Sequence, residues 1–155
     1  MEKHKAMEHM SKTALREALG RMREEKAALE KRLAGLEEGW AHMEACKAYA
    51  REKLGAIPDL RFVGPADAPH ILALSLPGYP SQNIVTELSG QGICISAGSA
   101  CHRGKASHVL AAMGLDKRTA AGTVRVSFGP ETAFEDIDAL AAALLEHRKT
   151  RFPML

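Results

Sequence analysis

The sequence predicts an α+β protein, a small antiparallel or mixed sheet with helices packed on one side, preceded by a long N-terminal amphipathic helix. Three observations carry that expectation. Apolar residues recur at an alternating spacing of three and four from Leu15 to Leu54, and no proline interrupts the run. After Gly55 the pattern changes to short apolar segments, the cleanest of which alternates Val124, Val126 and Phe128 with Arg125 and Ser127. These segments are interleaved with short helical stretches and turn residues, the pattern of one sheet layer covered by helices.

The first element covers residues 1–54. Leu15, Leu19, Met22, Leu29, Leu33, Leu36, Trp40, Met43, Ala50 and Leu54 form a narrow, heptad-like seam, with Lys26 and Lys47 in two of its slots. Each glycine in a helix costs roughly 1 kcal/mol relative to alanine, so breaks or kinks are expected near Gly20 and over Gly35–Gly39. So narrow a stripe needs a partner: the rest of this chain, a second copy, or a domain not present here.

Residues 55–155 read as an α+β small domain. Gly55 ends the helix, and Leu60 to Val63 forms a short strand. His70 to Leu76 is apolar enough for a buried strand, closed by Pro77-Gly78-Tyr79-Pro80. Ser81 is expected to cap a helix reaching Ser89, which Gly90-Gln91-Gly92 stops. Ile93 to Ile95 reads as a strand leading to Cys101. Ser107 caps a helix from His108 to Met113, and Lys117 to Ala121 forms a helical turn. Thr123 to Phe128 is a strand. Thr132 with Glu135 has the spacing of a capping box for a last helix, Ala133 to about Lys149.

Composition narrows the functional classes. With 155 residues, 46% of them hydrophobic, the chain can build one core of its own. A net charge of +2 gives no case for nucleic acid or membrane as a direct partner. No apolar stretch approaches a membrane span, and Met1-Glu2-Lys3-His4-Lys5 is not followed by the apolar core of a signal peptide. Three cysteines without framework spacing suit a reducing cytoplasm.

The chemistry concentrates at Cys101, in Ile95-Ser96-Ala97-Gly98-Ser99-Ala100-Cys101-His102-Arg103-Gly104-Lys105. Thiol chemistry needs the thiolate, which nearby cations and solvent access favour; His102, Arg103 and Lys105 supply the first. The flanking glycines let the backbone bend, and Ser96 and Ser99 are the kind of residues that tie loop backbone. Two other readings stand beside it. A lone cysteine is commonly a small buried hydrophobe, although nothing apolar larger than alanine lies between Ile95 and Ala106. Cys101, His102 and His108 offer three metal ligands, although their spacing matches no zinc pattern. Arg125, mid-strand on the polar face, is placed to grip a carboxylate through two parallel hydrogen bonds; the plainer reading is a surface arginine. Cys94 reads as a buried structural thiol, Cys46 as partly packed and inert, and His108 as a solvated residue at a helix start.

Ile93 to Cys101, Ser107-His108-Val109-Leu110, Ala112-Met113-Gly114-Leu115, Arg125-Val126-Ser127-Phe128-Gly129 and Glu135-Asp136-Ile137-Asp138 together resemble the C-terminal part of the cysteine desulfurases. These are pyridoxal-phosphate enzymes of the class V aminotransferase superfamily, and the resemblance runs from about Trp40 to Leu145. It implies the C-terminal domain of a fold-type I enzyme. It further implies that Cys101 attacks the substrate sulfur, becomes a persulfide and passes sulfur to an acceptor protein, while Arg125 binds the carboxylate of substrate cysteine. The motifs that hold the cofactor in that family, a Schiff-base lysine in a Ser-x-His-Lys segment, a stacking histidine and an aspartate for the ring nitrogen, have no counterpart here. His4-Lys5 lacks the glycine-rich turn that would follow such a lysine.

The expectation is therefore a truncated or split desulfurase, inactive alone and binding no cofactor or metal itself. Its partners would be a sulfur acceptor, the missing large domain or a full-length subunit, and a second copy in a homodimer. Only five residues separate Cys101 from Ser107. That short spacing is closer to relatives serving tRNA thiolation or thiamine synthesis than to those of general iron–sulfur assembly. The alternative is a non-catalytic persulfide relay or a dimerisation module.

Overall fold

The computed structural model describes residues 11–65, 67–98 and 107–154. The chain divides into two compact units, Met1–Glu38 and Gly39–Leu155. The first helix, α1, spans Lys12–Gly55.

In the first unit α1 begins with the Ser11 hydroxyl accepting the Ala14 N–H at 3.2 Å. The helix is continuous through Gly20 and Gly35, and through Gly39 beyond them, where breaks were expected. Glycine lowers helix propensity but leaves every N–H and C=O of the ladder in place; only proline removes a donor. The seam residues Leu15, Leu19, Met22, Leu29, Leu33 and Leu36 are all exposed, and Lys26 Nζ lies 3.5 Å from Glu30 Oε1 one turn on.

In the second unit the last turns of α1 bury Cys46, Lys47, Ala50 and Leu54. Four strands follow: β1 Arg61–Phe62, β2 Ile71–Ser75, β3 Ser96–Ala97 and β4 Thr123–Ser127. Their order is β1-β2-β4-β3, and every pairing is antiparallel. Period-two alternation gives the sheet two unlike faces. Leu72 pairs with Val126 and Leu74 with Val124 on the buried face. Against them pack Ala50 and Leu54 of α1, Ile84 and Leu88 of α2 (Ser81–Ser89), and Ile137, Leu140 and Leu144 of α5 (Phe134–Thr150). The three longest helices thus cover one face. Two short helices, α3 His108–Ala112 and α4 Lys117–Ala121, complete the unit.

Several local expectations change. Ile93 to Ile95 is not a strand. Gly92 turns the chain at φ +81°, and the Ile93 N–H closes back on the Leu88 carbonyl at 3.0 Å, so pairing begins only at Ser96. Ile93 and Ile95 lean on the core and Cys94 between them points outward, exposed rather than buried. Cys46 is fully buried rather than partly packed, because the end of α1 is covered on that side. Ser81 is the first residue of α2, and Pro80 holds the cap position with no side-chain bond. Thr132 does not cap α5. Its hydroxyl accepts the Gly129 N–H at 2.8 Å, and Asp136, not Glu135, reaches back to the Ala133 N–H at 3.0 Å.

Candidate functional site

The sheet's other face carries the polar residues. Reading across the strands, Arg61, Ser75 and Thr123 stand in one row, and Ala73, Arg125 and Ser96 in the next. The first row is closed on itself. Ser75 Oγ and Thr123 Oγ1 both donate to the Thr119 carbonyl, at 2.6 and 2.8 Å. Arg61 Nη1 donates to Thr119 Oγ1 at 3.2 Å and lies 3.7 Å from Asp116 Oδ2. Asp116 caps α4 through the Thr119 N–H at 3.0 Å and accepts the Thr119 hydroxyl at 2.6 Å. That hydroxyl bond above all holds its carboxyl below the usual aspartate range, with the charge of Arg61 adding to it.

The second row is open. Arg125 is exposed, and among the described residues its guanidinium has no hydrogen-bond or ion-pair partner. Small side chains flank it on both neighbouring strands, Ala73 on β2 and Ser96 on β3. An exposed planar fork can grip a carboxylate through two parallel hydrogen bonds. The sequence pointed to Arg125; it did not place Ser96 opposite it, which follows only from the β3–β4 register.

β3 continues into the chain segment of interest, and both anchors of that segment are fixed. The Gly98 N–H donates to the Thr123 carbonyl at 2.8 Å, extending the ladder by one residue. A Cβ on Gly98 would sit 2.9 Å from Thr123 Cγ2 and 3.0 Å from its carbonyl oxygen, so this close approach requires glycine. At the far end Ser107 caps α3, accepting the Leu110 N–H at 3.4 Å. Cys101, Ser99, His102, Arg103 and Lys105 themselves lie outside the described residues.

The other two thiols separate by environment. Burial, with the Asp136 carboxylate adding to it, pushes the Cys46 thiol up, and its Sγ donates to the Thr132 carbonyl at 3.5 Å. It is a structural thiol. Cys94 is exposed, beside a shallow cavity that Ile95, Phe128 and Leu140 help to line. A cavity of 670 Å³ lies elsewhere, lined by Tyr79, Asn83, Glu87, His147 and Arg151 among others. Its charges pair with one another, Arg151 Nε donating to Glu87 Oε2 at 3.0 Å. Among the described residues no three His, Cys, Asp or Glu side chains gather as a metal would require, and no helix is long and apolar enough to cross a membrane.

None of the paired strand residues around Arg125 is a lysine. Lys26 and Lys53 are engaged by Glu30 and Asp138, and Lys47 is buried with its ammonium on the Ala68 carbonyl.

Comparison with known proteins bears on the whole arrangement. The family model for aminotransferase class-V matches residues 22–140. A probable cysteine desulfurase of Vibrio cholerae is 32% identical over 104 residues, which is 67% of this chain and 24% of that protein. The cysteine desulfurase IscS of Clostridium botulinum strain Hall is 35% identical over 104 residues, 63% of this chain and 26% of that one. Among solved structures, a NifS-like protein superposes with a TM-score of 0.65 at 27% identity, covering 81% of this chain and 32% of the other. The chain therefore spans about a quarter of the length of the curated relatives it matches.

Proposed function

Since the chain belongs to the aminotransferase class-V family, we propose that it is the sulfur-carrying small domain of a cysteine desulfurase, with Cys101 as persulfide carrier and Arg125 as anchor for the substrate carboxylate. The observation that carries this reading is the exposed guanidinium of Arg125, without a polar partner among the described residues and in register with Ser96 on the strand that runs into the Cys101 segment. Four peptide units separate Ala97 from Cys101, a span of at most about 14 Å when fully extended.

Arg125 binds and orients the carboxylate of L-cysteine. The Cys101 thiolate forms the new sulfur–sulfur bond as the carbon–sulfur bond of the substrate breaks, leaving alanine. His102, Arg103 and Lys105 favour the thiolate and the persulfide anion and attract an acidic acceptor protein, and Ser99 ties the turn. The electron pair left on carbon needs a sink, which the described residues do not supply. In this reading pyridoxal phosphate and its lysine belong to a further polypeptide segment, in this chain or another, and the protein works in the cytoplasm without contacting nucleic acid.

Two measurements test the reading. The purified chain given pyridoxal phosphate and L-cysteine is expected to release no sulfide; release would overturn the division of labour. Treated with a low-molecular-weight persulfide donor, the chain is expected to carry the added sulfur at Cys101 in peptide mass spectra. Preferential loading of Cys94 or Cys46 would overturn the carrier role.

A further inference from the structure

The exposed seam of α1 repeats with a period of seven, not of 3.6. Leu15, Met22, Leu29 and Leu36 stand one heptad apart, and Leu19, Lys26 and Leu33 form the alternate row. A strict seven-residue repeat drifts around a straight helix and stays on one line only when two helices wind about each other. Its residues are exposed in the first unit, Met22 to 64% and Leu36 to 71%. The charges beside the seam indicate what covers it.

We propose that residues 15–37 of α1 form an antiparallel two-stranded coiled coil with a second copy of this chain, in the register that sets Arg23 against the partner's Glu30. The positions that follow the Leu15 row are Arg16, Arg23, Glu30 and Glu37, basic in the first half and acidic in the second. Those that precede the Leu19 row include Glu25 and Arg32. All six are exposed. In an antiparallel pair each of these two rows faces its own copy.

One register places Arg16 against the partner's Glu37, Arg23 against the partner's Glu30, and Glu25 against the partner's Arg32. The same register stacks Leu19 on the partner's Leu36 and Leu33 on the partner's Met22. Lys26 then meets the partner's Leu29, with its ammonium held at the edge of the layer by its own Glu30.

The alternatives put like charges in contact. Sliding one heptad in one direction sets Glu30 and Arg32 each against its own copy; sliding the other way does so for Arg23 and Glu25. A parallel pair brings Glu25 to the partner's Glu30 and buries Lys26 against Lys26. Among these four arrangements one sets no like charges against each other in the flanking rows. The proposal uses none of the residues assigned to sulfur chemistry and stands apart from that reading.

The test is sedimentation equilibrium of the full chain and its variants, with far-UV circular dichroism confirming that the helix is retained. A concentration-dependent dimer is expected. Arg23→Glu and Glu30→Arg should each raise the dimer Kd about tenfold, since the two-fold axis turns two attractions into repulsions. The double variant R23E/E30R should return it to about the original value. A monomer at every concentration would overturn the proposal. So would a dimer tightened by Glu30→Arg, as a parallel pair requires, or a dimer indifferent to all three changes.

Discussion

Gly122 and Leu76 meet backbone to backbone: a Cβ on Gly122 would lie 1.9 Å from the Leu76 carbonyl oxygen. The Leu76 N–H donates to the Gly122 carbonyl at 3.2 Å, carrying the β2–β4 pairing one step past Ser75 and Thr123. The φ of Gly122, −88°, is open to any residue, so the demand is for space alone. Gly122→Ala is therefore expected to destabilise the fold by about 2 kcal/mol or more, because a backbone atom cannot rotate away. Gly20→Ala in α1, with nothing within 4 Å of its Cβ position, is expected to be neutral or to stabilise by up to about 1 kcal/mol. Urea unfolding of the two variants checks the contrast, and equal midpoints would contradict it.

The legible and illegible parts of this fold divide by the range of the interaction. Val124, Arg125, Val126 and Ser127 announce their strand and its two faces, because a period of two acts within one segment. Ser107 and its helix were legible for the same reason. The need for glycine at positions 98 and 122 comes from Thr123 and Leu76 pressing through space, which spacing does not encode. Thr132 and Glu135 have the capping-box interval, yet Thr132 is taken by the Gly129 N–H and Asp136 does the work at Ala133. Two acidic residues in succession left the sequence no means of choosing. Cys94 was misjudged because the strand begins after it, a boundary set by the pairing of Ser96 with Arg125.

The two arginines of the open sheet face should behave oppositely. Arg61 is tied to Thr119 Oγ1 and sits by Asp116, whereas Arg125 has no polar partner among the described residues. Arg61→Ala is expected to lower stability by up to about 1 kcal/mol, its exposure limiting the loss. Arg125→Ala is expected to change stability by no more than about 0.5 kcal/mol. Thermal melts of both variants decide this, and a larger loss at Arg125 would assign it a structural role.

Alkylation should distinguish the thiols in the folded chain. Cys94 is exposed and should react with iodoacetamide under native conditions. Cys46 is fully buried, its thiol is held up by desolvation, and it donates to the Thr132 carbonyl, so it should react only after denaturation. Peptide mass spectra before and after urea check the order. Native modification of Cys46 at the rate of Cys94 would mean that the end of α1 opens readily.

Acid should weaken the junction of α2 and α5 through Glu87. Arg151 Nε donates to its Oε2 at 3.0 Å, and His147 Nδ1 lies 3.1 Å from the same oxygen without hydrogen-bond geometry. The arginine bond holds the Glu87 carboxyl below the usual glutamate range, against the opposing effect of burial. A carboxyl depressed on folding contributes stability that is fully present above its unfolded pKa and is lost as pH falls through the folded one. The loss should therefore begin below about pH 5 and continue to more acidic values. Glu87→Gln keeps the shape and removes the charge. It should cost about 1 kcal/mol at neutral pH and flatten the decline below pH 5, so that the two proteins converge in acid. Urea midpoints measured across that range test the sign: a gap that widens as pH falls would show that the carboxylate is a burden on the fold, not a support.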